Sequence, residues 1–441
     1  MGEMIDAPSV ARDEMSTAIA PVFDAAALRS LALEAGADDV AFVEVDRPEL
    51  AGERPHIGNA APWTRTLMSF VVRMNREPIR SPARSIANLE FHHGTDGLNG
   101  IAREIVRALE KKGVRALNPA AGFPMEAQNF PDRLWVVSHK EVAVAAGLGQ
   151  MGIHRNVIHP KFGNFILLGT ILMDVEVDEL GAPIDYNPCL ECKLCVAACP
   201  VGAIGPDGHF NFGSCYTHNY REFMGGFTDW VETVVDAKNG QDYRHKVSDG
   251  ETVSLWQSLS FGANYKAAYC MAVCPAGDDV IGPYLADKGK FKRDVVKPLQ
   301  AREEEVYVVP HSDAAAHAAK RFPHKTARLV NSGLRPWTIA GMLRSLNLVF
   351  SRHNAKDLNA RYHFTFTGSE HIRSTITIDQ GKLDVADGHV GQPDISVSAD
   401  ADTWLAFLRK ERGILRALLT RKIRLKGNPK LLQAFGRCFP S

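Results

Sequence analysis

Cys189-Leu190-Glu191-Cys192-Lys193-Leu194-Cys195-Val196-Ala197-Ala198-Cys199-Pro200 places four cysteines in a C-x2-C-x2-C-x3-C pattern with a proline behind the last. Two-residue spacers curl a chain round one cubane iron–sulfur cluster, and the longer step turns the fourth thiolate toward a second cluster. Zinc is normally held by two separated pairs. Attachment of a c-type haem needs a histidine where Val196 stands. The stretch therefore reads as a ferredoxin-like iron–sulfur module.

A second cluster needs a reciprocal motif, and Cys270-x3-Cys274-Pro275 has the right ending, with Cys215 upstream. The sharing assigns Cys189, Cys192, Cys195 and Cys274 to a first 4Fe-4S cluster. Cys199, Cys215 and Cys270 remain for the second, where Ala267 occupies the position of the expected fourth cysteine. That cluster is expected to be 3Fe-4S, or 4Fe-4S with a non-cysteine ligand or solvent, and His218 and His245 are candidates. Seven of the eight cysteines fall between Cys189 and Cys274, and the eighth, Cys438, reads as a buried thiol.

The rest of the chain bounds the function. Its 441 residues suffice for several domains. Lys+Arg and Asp+Glu both number 51, and this balance argues against a general DNA or RNA binder, whose phosphate contacts need a cationic surplus. No apolar run is long enough for a membrane-spanning helix. Residues 1–20 show no signal pattern and read as a loose lead-in. A cytoplasmic protein is expected.

Upstream of the cysteines, Asp24 can cap a helix over residues 25–35 that stops at Gly36. Residues 41–45, 67–72, 114–117, 134–137 and Ile166–Met173 read as strands, and Asp96 as the cap of a helix ending at Gly113. This alternation predicts an α/β domain over 21–180. Residues 181–300 are the iron–sulfur module, with an aromatic-rich insertion over 216–269. Residues 301–335, charged and proline-punctuated, read as a connector. In 336–441 strands at 362–367, 375–378, 382–385 and 395–397 precede helices from Asp402, at 415–419 and at 431–435, an α+β domain.

The stretch Ala145-Ala146-Gly147-Leu148-Gly149-Gln150-Met151-Gly152, then His159-Pro160-Lys161-Phe162-Gly163 and Leu168-Gly169, precedes the cysteines. In this order the motifs resemble the epoxyqueuosine reductases and the reductive dehalogenases over roughly residues 25–300. Cys270-Met271-Ala272-Val273-Cys274-Pro275 is especially similar to the dehalogenase version. The resemblance implies a nitroreductase-like α/β domain holding cobalamin, contacted by Gly147, Leu148, Gly149, Gly152, His154 and Gly163. It also implies electrons supplied one at a time by a ferredoxin or flavodoxin-type donor. The same glycines formally fit a dinucleotide fingerprint, but Pro160 and Gly163 leave no room for the helix it requires. Those families deliver a proton from a tyrosine or an aspartate in the first domain. No tyrosine precedes Tyr186 here, so Asp132, His139, Lys140 and Glu141 are the candidate proton donors.

Residues 336–440 resemble the sterol carrier protein type 2 family, through 362–368, 374–381, Gly391-Gln392-Pro393-Asp394, 402–408 and Lys426-Gly427-Asn428-Pro429. That resemblance implies an apolar small-molecule or acyl ligand, and it allows a homodimer, since such domains also serve as dimerisation modules. Nine Lys/Arg between Arg409 and Lys430 form a basic stretch. The expected function is a corrinoid-dependent iron–sulfur reductase acting on an apolar small molecule. The alternatives are a non-catalytic electron-transfer or lipid-binding protein, or an epoxyqueuosine reductase. The neutral charge argues against tRNA.

Overall fold

The computed structural model describes residues 22–122, 135–189, 191–409 and 411–440. In the first domain Asp24 caps α1 (Ala25–Glu34) by accepting the Ala26 and Ala27 N–H groups, and Gly36 ends the turn with φ +110°. A four-stranded sheet follows, built from β1 (Asp39–Glu44), β2 (Thr66–Arg73), β3 (Ala116–Leu117) and β4 (Ile166–Met173) in the order β1-β2-β4-β3. Every pairing in it is antiparallel, so the alternation of strands and helices predicted the layers but not the strand directions. Between β2 and β3 lie the short α2 (Arg76–Arg80) and the long α3 (Arg84–Lys111). The α3 helix begins twelve residues before Asp96, so Asp96 is not its cap and His92 and His93 are helical rather than in a loop. Its apolar stripe runs through Ala87, Phe91, Leu98, Ala102, Ile105 and Leu109. Gly94 is needed within it because a Cβ there would meet Leu167 Cδ1 at 3.0 Å. Residues 135–137, expected as part of a strand, form a bend that feeds α4 (His139–Ala145).

The iron–sulfur module packs Cys195 and Cys199 into an apolar core with Phe91, Phe165, Leu194 and Tyr269. Cys192, Cys215 and Cys270 pack against that core, while Cys274 joins Ile158 and Ala276 in a smaller cluster. It contains α5 (Leu194–Ala198), α6 (Phe212–Asn219), α7 (Met224–Val235), α8 (Gly240–Lys246), α9 (Asp249–Phe261) and α10 (Tyr269–Ala272). The region expected as a connector is folded: β5 (Glu305–Val308), α11 (Asp313–Arg321) and β6 (Thr326–Leu329) form a parallel β-α-β unit. Val306 and Val308 are fully buried in the cysteine core. The flanking charges that mimic a linker are paired, Glu304 with Lys325 at 2.7 Å and Glu305 with Arg328.

The C-terminal domain places α12 (Ile339–Val349) ahead of five strands, β7 (Asn359–Thr367), β8 (Arg373–Asp379), β9 (Lys382–Asp387), β10 (Ile395–Asp400) and β11 (Ile423–Gly427). Their order is β9-β8-β7-β10-β11, with only β7–β10 parallel. Helices α13 (Ala401–Leu408), α14 (Ile414–Leu419) and α15 (Pro429–Cys438) complete it, and Phe364, Trp404 and Phe435 anchor its core. The domain docks on the module through Ser351 Oγ donating to Asp313 at 2.6 Å and Arg352 pairing with Asp207 at 2.6 Å. No helix of the described residues is long and apolar enough to cross a membrane.

Candidate iron–sulfur site

Residues 192–195 and 267–270 adopt one local geometry. Lys193 and Ala268 each take the left-handed conformation, φ 51° ψ 21° and φ 52° ψ 25°, and each opens a short helix, α5 or α10. That turn swings Cys195 and Cys270 inward from equivalent positions. It also sets Cys192 opposite Ala267, and Cys199 opposite Cys274.

A small cavity is lined by Cys189, Cys192, Cys195 and Cys274 together with Ile153 and His154. These are the four cysteines that spacing assigns to the first cluster. The Ile153 N–H donates to Cys189 Sγ at 3.3 Å, the kind of bond that tunes cluster sulfurs. Burial pushes the Cys274 thiol up to about 12, with the Ala276 N–H opposing it, and raises Cys195 as well. Buried thiols of this kind become thiolates when a metal binds them. Among the described residues no three His, Cys, Asp or Glu side chains stand as a single-ion site. Four thiols lining one cavity are the ligand set of a cubane cluster.

Cys199, Cys215 and Cys270 form the second group. Burial raises all three, then Cys270 and Cys199 act on Cys215, and Cys199 acts on Cys270, which is pushed up to about 12. The Ala203 N–H donates to Cys199 Sγ at 3.3 Å. At the position matching Cys192, the N–H groups of Ala267 and Ala268 both donate to Asn219 Oδ1, at 3.0 and 2.7 Å. Asn219 lies one turn past Cys215 on α6, so one helix carries both a ligand and the clamp for the motif that lacks one.

The two histidines considered as fourth ligands differ. His245 is exposed on α8. His218 is buried, its Nδ1 accepts the Tyr307 N–H at 3.3 Å, and its Nε2 has no hydrogen-bond partner among the described residues.

Of the expected proton donors, Asp132 lies outside the described residues. Glu141 sits on the exposed face of α4. His139 is buried, Nδ1 meeting Thr170 Oγ1 at 2.8 Å and Nε2 the Ala120 carbonyl at 3.0 Å. Burial lowers its pKa, so it is a neutral pin in the first domain and is corrected as a proton donor. Lys140 differs. Its Nζ donates to the Arg155 carbonyl at 2.7 Å and to Asn156 Oδ1 at 2.9 Å. Burial lowers its pKa, while Cys270 and Cys215 act in the opposite sense. The sequence reading missed Tyr220, whose phenol burial pushes well up, with Tyr265, Cys215 and Cys270 adding to it.

The expected cobalamin contacts do not form a cradle. A Cβ on Gly147 would lie 2.5 Å from the Ala182 carbonyl oxygen, on Gly149 2.5 Å from that of Ile158, and on Gly163 2.0 Å from that of Ala276. On Gly152 it would strike the His154 ring at 2.8 Å. The chain itself fills the space these glycines create, and Leu148 is buried in the first-domain core. His154 lines the first-cluster cavity instead, its pKa pushed down to about 4 by burial and then by Lys140. Ile153, His154 and Ile158 of this loop line the first cysteine cavity, while its glycines are packed against backbone and leave no open face for a corrinoid.

Comparison with known proteins agrees with this geometry. Residues 182–205 match the 4Fe-4S binding domain and residues 347–440 the SCP-2 sterol transfer family. The chain is thus an iron–sulfur protein carrying a sterol-carrier-type domain. It is similar to the epoxyqueuosine reductase of Staphylococcus aureus (strain NCTC 8325 / PS 47), 35% identical over 80 residues, 18% of this chain and 20% of that protein. Among solved structures it is similar to the epoxyqueuosine reductase from Streptococcus thermophilus, with TM-score 0.35 and 16% identity over 62% of this chain and 75% of that one. A catabolic reductive dehalogenase gives TM-score 0.38 and 16% identity over 68% and 37%. The chain spans between 20% and 30% of the length of the first curated relatives it matches.

Proposed function

We propose that this chain is an iron–sulfur reductase that passes electrons from the Cys189/Cys192/Cys195/Cys274 cluster to the Cys199/Cys215/Cys270 cluster and on to an apolar small molecule. Two such clusters, when bound, supply single electrons in succession. The observation that carries the reading is the cavity lined by Cys189, Cys192, Cys195 and Cys274, with Cys199, Cys215 and Cys270 grouped beside it. Lys140 feels the thiols of that second group. Lys140 anchors two of its N–H bonds in the Arg155–Asn156 turn and holds a transferable proton at Nζ. Burial eases its release by disfavouring the ammonium form. The matched carrier domain supports an apolar substrate or acyl ligand.

Cobalamin is implied by resemblance alone, and the glycine loop, packed against its own backbone, offers it no cradle. The curated relatives favour a second reading, reduction of epoxyqueuosine in tRNA. Anaerobic reconstitution tests both. The expected protein binds two iron–sulfur clusters, shows no corrinoid bands after incubation with cobalamin, and leaves an epoxyqueuosine-containing tRNA stem loop unchanged. Loss of the epoxide from that RNA would replace the first reading with the second. Iron and sulfide at the level of one cluster would remove the two-cluster reading.

A further inference from the structure

Two arginines, Arg84 buried and Arg80 half-buried, border the second cysteine motif with buried donors that meet no acceptor among the described residues. Arg80 closes α2 and Arg84 opens α3. Arg80 Nη2, Arg84 Nε and Arg84 Nη2 are buried with no acceptor among the described residues. Arg80 spends Nε on the Ala272 carbonyl at 3.4 Å, between Cys270 and Cys274 in the chain, and its guanidinium lies 5.2 Å from the centre of the Phe165 ring. Its one carboxylate neighbour, Glu77, is 3.8 Å away and largely exposed. Arg84 gives Nη1 to the carbonyls of Ile79 and Ser81 and lies 5.3 Å from the centre of the Tyr269 ring, beside Cys270. The nearby Glu304 is already engaged by Arg302, Lys325 and Tyr269.

Buried donors in folded proteins are nearly always satisfied, and a buried cation without a counter-charge is costly. An anion beside the Cys270–Cys274 turn, which Arg80 reaches at the Ala272 carbonyl and Arg84 at the Tyr269 ring, would meet these donors and balance their charge. A cluster ligated by thiolates meets both demands, since it carries net negative charge that grows by one on reduction, and its sulfurs accept N–H bonds. Resting on the two-cluster reading, we propose that Arg80 and Arg84 are the built-in counter-charges of the first and second clusters, donating N–H bonds to their sulfurs and raising their reduction potentials. They are positioning residues for electron transfer and do not touch substrate.

The test uses the full chain, reconstituted anaerobically and labelled with 15N-arginine. Pulsed paramagnetic resonance should show arginine 15N couplings on each cluster in its paramagnetic state, and their absence would overturn the proposal with no variant needed. In Arg80→Gln the first cluster, and in Arg84→Gln the second, should lose about tenfold in the reduced-to-oxidised ratio at fixed potential, about 59 mV for a one-electron couple. Arg84→Lys should recover part of the shift. Potentials unchanged in both glutamine variants, with iron and sulfide intact, would also overturn it. A wild-type chain that takes up no iron and sulfide removes the two-cluster reading itself and is recognised by that assay alone.

Discussion

The stretches 192–199 and 267–274 run through one backbone path, with a left-handed residue, a short helix and a closing cysteine before proline, yet they equip their clusters differently. The first seat has a full set of four cysteines, completed by Cys189 and Cys274, beside the Ile153 N–H and the low-pKa His154. The second lacks one cysteine and faces ionisable groups, Lys140 and Tyr220. A backbone repeat thus makes two seats of one shape, and side chains alone give them different work. The complete seat is suited to relaying electrons, and the incomplete one stands where protons are also available.

The comparison breaks most completely at a shared ligand of the first seat. Cys195→Ala should remove about four irons per chain and abolish turnover, because electrons then have no route inward. Iron and sulfide analysis checks it, and retention of full iron would contradict the assignment. Next in size is Lys140→Met, which should leave both clusters' spectra intact and reduce turnover by about 10²–10⁴-fold. An equal loss on replacing His154, the matching neighbour of the first seat, would erase the distinction between the seats. Asn219→Ala is smaller: it strips the acceptor from two N–H groups of the second motif and should cost about 1–3 kcal/mol in denaturant unfolding. The first motif, which is not clamped this way, should keep its cluster in that variant.

The asymmetry was partly legible before any coordinates. Cysteine spacing alone pairs distant residues because a cluster demands a fixed ligand set, and Ala267 stands out as the gap. Caps such as Asp24 and apolar runs such as Ile166–Met173 are local signals and were readable as such. What escaped depends on tertiary proximity. Gly94, Gly97 and Gly100 look like helix breakers, and only packing of Gly94 against Leu167 explains its place in α3. Arg80 and Arg84, four apart in a polar stretch, look like a solvated pair. Tyr220, at the C-terminal cap of α6 five residues past Cys215, meets Tyr265 only because the 54-residue excursion between Cys215 and Cys270 folds back on itself. Val306 and Val308 were hidden by the acids beside them. The glycine loop misled in the opposite direction, since glycine admits close approach without saying whether ligand or backbone approaches.

The sharpest and smallest change is Ala267→Cys, which makes the second seat a copy of the first. Ala267 is buried, and its position in the backbone is that of Cys192, so a thiol there points into the second seat without moving the chain. The Ala267 N–H bond to Asn219 is a main-chain contact and survives the substitution. If the wild-type second cluster lacks an iron for want of a thiolate, the variant should gain about one iron per chain, and its resonance should change from a three-iron to a four-iron signal. Stability should hardly move, since the added sulfur meets metal rather than protein. An unchanged iron count with an unchanged four-iron signal would mean that the wild type already completes its cluster with a non-cysteine ligand. The difference between the seats would then lie only in the ionisable groups around them, Lys140 and Tyr220 at the second.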